Sequence, residues 1–195
     1  NKIKIVTKNL DGTLYDLNSI LNIKTLTDNP DNVNLKDLCN DIITLLEDQL
    51  TELDATLLLD LKVENIFAAR SNINGVLQNL FTNSIKYSST DRPPKIIVSS
   101  YLDSEGQVII KVADNGIGID LAKDSEKLFQ LYKRLHPLHA SGKGIGLFLV
   151  KSLVQSMHGT IEVESEVNVG TTFTITLPKK AIVVENDLTT STRVY

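Results

Sequence analysis

Three groups of residues in this 195-residue chain have types and spacings that can do chemistry. The string DNGIGI at 114–119 sets a carboxylate, Asp114, beside Gly116 and Gly118. GKGIGL at 142–147 gathers Gly142, Gly144 and Gly146 into one short run. Each holds a G-x-G, where backbone can approach a ligand that a side chain would exclude. Asn79 and Asn83 stand one helical turn apart, on one face of a predicted helix. A strand-end carboxylate beside glycines can hold a base, and a glycine-rich helix start can hold phosphates on its free amides.

The elements that must position these groups follow from periodicity. QVIIKVA (107–113) alternates as a strand ending at Asp114, paired with KIIVSSYL (95–102) across the turn DSEG (103–106). NINGVLQNLFTNSIKYS (72–88) has helical spacing, with Arg70-Ser71 as its expected cap and STDRPP (89–94) as its breaker. IGLFLVKSLVQSM (145–157) predicts a second helix, opened by the glycine run. Upstream, LKDLCNDIITLLEDQL (35–50) predicts an amphipathic helix and ATLLLDLKV (55–63) a strand. TIEVESEV (160–167) and TTFTITLP (171–178) predict a closing hairpin around Asn168-Val169-Gly170. The polar stretch 120–141, with KLFQLYKRL embedded, has the length of a loop that is either a functional lid or disordered. Strands segregated from helices give an α+β fold, one mixed sheet with helices on one face.

The first residues are patterned differently. Ile3, Leu10 and Leu17 recur at seven, interleaved with Leu14 and Leu21, which is the seam of a coiled coil or four-helix bundle. Gly12 weakens that helix by ~1 kcal/mol relative to alanine. A self-associating helix therefore fits better than one packed on its own domain, and a polar DNPDN linker (28–32) follows it. The expected organisation is a helix over 1–29, a main domain over 33–180 and a tail over 181–195.

Composition narrows the class. With 42% hydrophobic and 23% charged residues the chain is ordinary for a globular protein. Its net charge of −4, without a basic stripe, argues against nucleic acid as the main partner. A single Cys39 in a predicted helix suits a reducing compartment, so a cytoplasmic location is expected for this piece. The chain opens on Asn1 and its one methionine is Met157, so it reads as part of a longer protein whose membrane anchoring is left open. A dinucleotide fingerprint fails, since Leu121 and Leu149 stand where its third glycine belongs. No phosphate-loop G-x-x-x-x-G-K-[ST] occurs either.

Residues 72–178 resemble the ATP-binding catalytic domain of sensor histidine kinases, in the superfamily shared with DNA gyrase, Hsp90 and the mismatch-repair ATPases. The motifs stand in that family's order: NLFTNSIKYS (79–88), DNGIGI (114–119), KLFQLYKRL (127–135) and GKGIGL (142–147). The closing HGTIEVESEVNVGTTFTITLP (158–178) is similar as well. The resemblance implies a two-layer α/β sandwich of the Bergerat type, ATP and Mg²⁺ as ligands, and γ-phosphoryl transfer to a histidine for relay to a response-regulator aspartate. It makes residues 1–29 similar to the second helix of a dimerisation hairpin, through which the full-length protein would form a homodimer. The phosphoacceptor histidine of such a hairpin is not found on that seam. His136 and His139 read as solvated lid residues, and His158 as structural, a cation at a helix end before an αL-capping Gly159.

By this resemblance Asp114 accepts the adenine 6-amino group, where guanine would present a repelling oxygen. Asn83 is the Mg²⁺ ligand, Asn79 lies near the phosphates, Lys86 meets a phosphate oxygen and Tyr87 lines base or ribose. Gly116, Ile117 and Gly118, with Gly142, Lys143, Gly144, Ile145, Gly146 and Leu147, line the nucleotide. Lys143 departs from relatives that carry a small hydroxyl residue there. Phe129 anchors the lid, while Lys133 and Arg134 reach the γ-phosphate on closure, although a plain helix face accounts for those cations too. Thr172 completes the adenine end through water. Position 79 is glutamate in gyrase and Hsp90. Asparagine cannot act as a general base, which favours a kinase over a hydrolase. The alternatives are a non-catalytic nucleotide-binding scaffold and a serine kinase of the same superfamily.

Overall fold

A computed structural model describes residues 29–133 and 144–181. The N-terminal seam, Arg134, His136, His139, Gly142, Lys143 and the tail lie outside the described residues.

The chain enters through β1 (Asp31–Asn34). Asn34 then caps α1 (Leu35–Leu45), its Oδ1 accepting from the Asp37 amide at 2.9 Å. Leu35, Leu38, Cys39 and Ile42 form the buried stripe of α1. The helix expected over 35–50 is interrupted at Leu46, whose ψ of 5° ends α1 before α2 (Glu47–Glu52) begins. Both Leu46 and Leu50 stay buried across that break. Strand β2 (Thr56–Leu61) follows, then β3 (Asn65–Ala68).

β1 and β3 form a small antiparallel sheet that the sequence reading missed, having assigned 28–32 to a linker. β1 is rich in Asn and Asp, and four-residue strands are too short to carry a readable alternation. Pairing holds them instead, with Val33 opposite Ile66 in the core and Asn34 Nδ2 donating to Asn65 Oδ1 at 3.1 Å. Strand β1 thus begins inside the stretch taken for a linker.

Helix α3 spans Arg70–Lys86. Its N-cap is Ala69 without a side-chain bond, not the expected Arg70-Ser71 pair; Arg70 is helical and bridges to Asp41 at 2.9 Å. Strands β4 (Lys95–Leu102) and β5 (Val108–Asp114), the short α4 (Leu121–Asp124), α5 (Gly146–Ser156), β6 (Thr160–Glu166) and β7 (Gly170–Leu177) complete the order.

The main sheet runs β2-β4-β5-β7-β6, with β2 parallel to β4 and the other neighbours antiparallel. One face, carrying Ile96 and Val98, Ile110 and Val112, Phe173 and Ile175, is buried with the apolar stripes of α1, α3 and α5. This is the expected α+β two-layer sandwich. At the end of α5, His158 itself takes the left-handed conformation (φ 61°), and Gly159 N–H reaches back to Val154 O at 3.0 Å. The expected αL glycine is therefore one residue late: His158 occupies the capping position of a Schellman closure. Cys39 is buried, which pushes its thiol up to about 12 and leaves it inert.

Candidate functional site

β5 delivers Asp114 to the helix-covered face, because it keeps the same parity as Ile110 and Val112. Its carboxylate is ringed by donors. Oδ1 accepts from Gly116 N–H at 2.9 Å and from Thr171 N–H at 3.2 Å, and Oδ2 accepts from Ser84 Oγ at 3.2 Å. Burial drives the carboxyl pKa above its ordinary 3.8, while the bonds from Gly116, Ser84 and Thr171 pull it part of the way back. With both lone-pair directions of Oδ1 taken, Oδ2 keeps one acceptor position.

Thr171, not Thr172, is the residue that meets Asp114. The β5–β7 register pairs Asp114 with Thr171 and Ala113 with Thr172, so Thr172 lies on the opposite face of the sheet. A slip of one residue exchanges faces in any strand. Thr171 is 6% exposed, its Oγ1 lying 2.9 Å from Ser165 Oγ. Ser165 Oγ in turn accepts from Ile119 N–H at 2.8 Å and donates to Gly170 O at 2.8 Å. Ser84 and Ser165 were also missed, since their bonds to Asp114 and to Ile119 N–H join residues distant in sequence.

The glycine loop after β5 is wedged between the end of α3 and the β6–β7 turn. Ile117 N–H donates to Tyr87 O at 3.0 Å and Ile117 O accepts from Asn168 N–H at 2.8 Å. Gly118 has φ +69°, and a Cβ there would overlap the Glu166 carbonyl, so only glycine fits. Tyr87 ends α3, with Lys86 Nζ 4.8 Å from its ring centroid.

The other end of the site is built where α3 faces α5. Asn79 Nδ2 donates to Gly75 O at 2.7 Å, which turns Oδ1 toward Gly146. A Cβ on Gly146 would lie 2.9 Å from Asn79 Oδ1 and 3.9 Å from Asn83 Nδ2. Asn79, Asn83 and Gly146 are thus brought together. Among the described residues no side chain caps α5, whose first amides point to the site. Ile145 is buried, Leu147 packs against the core, and Gly144 O accepts from Tyr132 N–H at 2.9 Å. Phe129 packs on the core beneath Lys151, whose Nζ lies 5.3 Å from the ring centroid. Lys133 is exposed at the edge of this segment.

Among the described residues, no group of three His, Cys, Asp or Glu could hold a metal by itself. A hard cation that keeps several waters and needs one protein oxygen besides substrate phosphates is a different matter, and Asn83 can supply that oxygen. No helix among the described residues is long and apolar enough to cross a membrane.

Comparison with known proteins gives this arrangement a family. The family model for histidine kinase-, DNA gyrase B- and HSP90-like ATPases matches residues 69–181. The sensor protein RprX of Bacteroides fragilis is 40% identical over 116 residues, 58% of this chain and 22% of its own length. The heme sensor protein HssS of Staphylococcus saprophyticus is 32% identical over 149 residues, 76% of this chain and 31% of its own. The chain thus spans between a fifth and a third of these curated relatives. Among solved structures, histidine kinase AdeS of Acinetobacter baumannii is 25% identical at a TM-score of 0.71, covering 88% of this chain and 79% of its own. Full-length ShkA, solved with AMPPNP, shares the fold at 20% identity and a TM-score of 0.75, covering 93% of this chain and 38% of its own. The chain belongs to the histidine kinase-, DNA gyrase B- and HSP90-like ATPases, and within them to the catalytic domains of histidine kinases.

Proposed function

We propose that this domain binds Mg²⁺-ATP and transfers the γ-phosphoryl group to a histidine on a helix not included in this sequence, rather than to His136, His139 or His158. The observation that carries the reading is the Asp114 carboxylate. Two backbone donors fill Oδ1, and Oδ2 keeps one acceptor direction for an exocyclic amine. At the far end, Asn79 and Asn83 face the uncapped start of α5, where triphosphate oxygens would meet free amides.

In this reading Asn83 holds Mg²⁺, which when bound offsets charge on the β- and γ-phosphates. Asn79 orients the phosphates and cannot abstract a proton from water, so the γ-phosphoryl is conserved for another nucleophile. A P–N bond to the imidazole forms as the P–O bond to the β-phosphate breaks and ADP leaves. Ile117, Tyr87, Lys86, Ile145 and Leu147 enclose the ligand. Lys133, Arg134 and Lys143 supply positive charge near the phosphates, and Phe129 seats the segment that carries the first two. The phosphoryl group then passes to an aspartate of a response-regulator receiver domain, and residues 1–29 pair two copies of the full-length protein.

The test is to mix the chain with γ-labelled ATP, Mg²⁺ and a separately made histidine-bearing dimerisation helix. Acid-labile label on that helix is expected. Acid-stable label would favour serine transfer, and ATP binding without any label would favour a scaffold.

A further inference from the structure

Arg92 lies in the loop between α3 and β4, in a segment whose sequence signals only a helix break. Its half-buried guanidinium donates through Nε to Asn115 O at 2.7 Å. Through Nη2 it reaches Gly116 O at 2.9 Å, Asn168 O at 2.6 Å and Val169 O at 3.4 Å. Among the described residues no carboxylate pairs with it, so its charge is directed at carbonyl oxygens of two separate loops. Asn115 and Gly116 follow β5; Asn168 and Val169 make the β6–β7 turn.

The bond to Asn115 matters most. The peptide joining Asn115 to Gly116 presents its carbonyl to Arg92 and its N–H to Asp114 Oδ1 at 2.9 Å. In a trans peptide these groups point in opposite directions, so one hydrogen bond polarises the other. The next peptide repeats the pattern, with Gly116 O on Arg92 and Ile117 N–H on Tyr87 O at 3.0 Å. Asn115 is separately tied by its own amide, which accepts from Lys95 N–H at 2.7 Å and donates to Pro93 O at 3.0 Å. The loop therefore keeps an anchor when Arg92 is replaced, while the alignment of the 115–116 peptide does not.

We propose that Arg92 is a positioning residue for base recognition. It acts through the Asn115–Gly116 peptide to fix the Asp114 carboxylate with Oδ2 turned toward an adenine amine. This rests on the nucleotide reading of Asp114. A planar fork with five donors can span these carbonyls, whereas an ammonium reaches one at a time. A mere staple between two loops would weaken every purine nucleotide alike. A device that aims the carboxylate changes the choice between a 6-amino and a 6-oxo purine.

Calorimetry on the 195-residue chain with Mg²⁺, comparing ATP with inosine triphosphate, separates the two. Arg92→Gln and Arg92→Lys are expected to bind inosine triphosphate within about twofold of the unaltered chain while ATP weakens by about tenfold. The preference for ATP should shrink by that same factor. An unchanged ATP-to-inosine-triphosphate ratio in both variants overturns the proposal, whether both affinities fall together or neither does. The unaltered chain is the control on the underlying reading. If it shows no preference for ATP, the assignment of Asp114 fails and takes the role of Arg92 with it.

Discussion

The backbone N–H of Thr171 meets Asp114 Oδ1 at 3.2 Å across the β5–β7 ladder, and Gly116 N–H meets the same oxygen at 2.9 Å. A carboxylate so held is ready to accept, yet burial keeps its folded pKa above the ordinary 3.8. The sign follows from linkage: folding favours the protonated form, so Asp114 contributes stability that is present below pH 3.8 and lost as pH rises through its raised folded value. Asp114→Asn removes that charge while its amide oxygen can still accept both backbone bonds. At neutral pH the variant should melt no lower than the unaltered chain, with the difference vanishing in acid. ATP affinity should fall about a hundredfold, since the new amide presents a donor to a donor. Thermal melts against pH and calorimetry check both; a variant that melts lower at pH 7 contradicts the electrostatics.

Asn83 has a half-buried side chain on the α3 face that looks toward Gly146. Replacing it with alanine raises helix propensity, so stability should stay within about 0.5 kcal/mol of the original. Mg²⁺-ATP affinity should drop about tenfold, and chelating the metal should weaken the unaltered chain by a similar factor. The variant should then be indifferent to chelation. An Asn83→Ala chain that still responds fully to Mg²⁺ would place the ligand elsewhere.

The parts of the fold legible in advance were those with a long period. β5, α3, α5 and the closing hairpin carry alternation or helical spacing over seven or more residues each. Asp114 was legible because a strand ends at a carboxylate followed by glycines. Thr171 was not, because choosing it over Thr172 needs the cross-strand register, and neighbouring threonines differ by a whole sheet face. Ser84 and Arg92 touch the site only through tertiary contacts with Asp114 and with the 115–116 peptide. The β1–β3 sheet escaped notice for another reason: Asp31–Asn34 has one buried apolar residue, Val33, and no pattern can be read from one.

Gly146 opens α5, and a Cβ there would press 2.9 Å from Asn79 Oδ1. Gly146→Ala gains up to about 1 kcal/mol of helix propensity while displacing an amide pinned on its other side by Gly75 O. Nucleotide affinity should therefore fall several-fold with no loss in melting temperature. Equal affinity for ATP in the variant would mean that Asn79 does not face the phosphates.

Phe129 and Lys151 join the segment before the second glycine run to α5, with Nζ 5.3 Å from the ring centroid. Two effects overlap there: the ring packs against the core, and the ammonium sits over its face. Phe129→Leu keeps most of the packing and removes the face; Lys151→Ala removes the cation and keeps the packing. A double-mutant cycle by urea unfolding should return a coupling of about 0.5–1 kcal/mol, the range of an exposed cation–π pair. Phe129→Ala should cost more than Phe129→Leu and should speed proteolysis within 121–133, because the loss then includes the anchor itself. A coupling near zero with an intact Phe129→Ala penalty would assign the anchoring to packing alone and leave Lys151 as solvated charge.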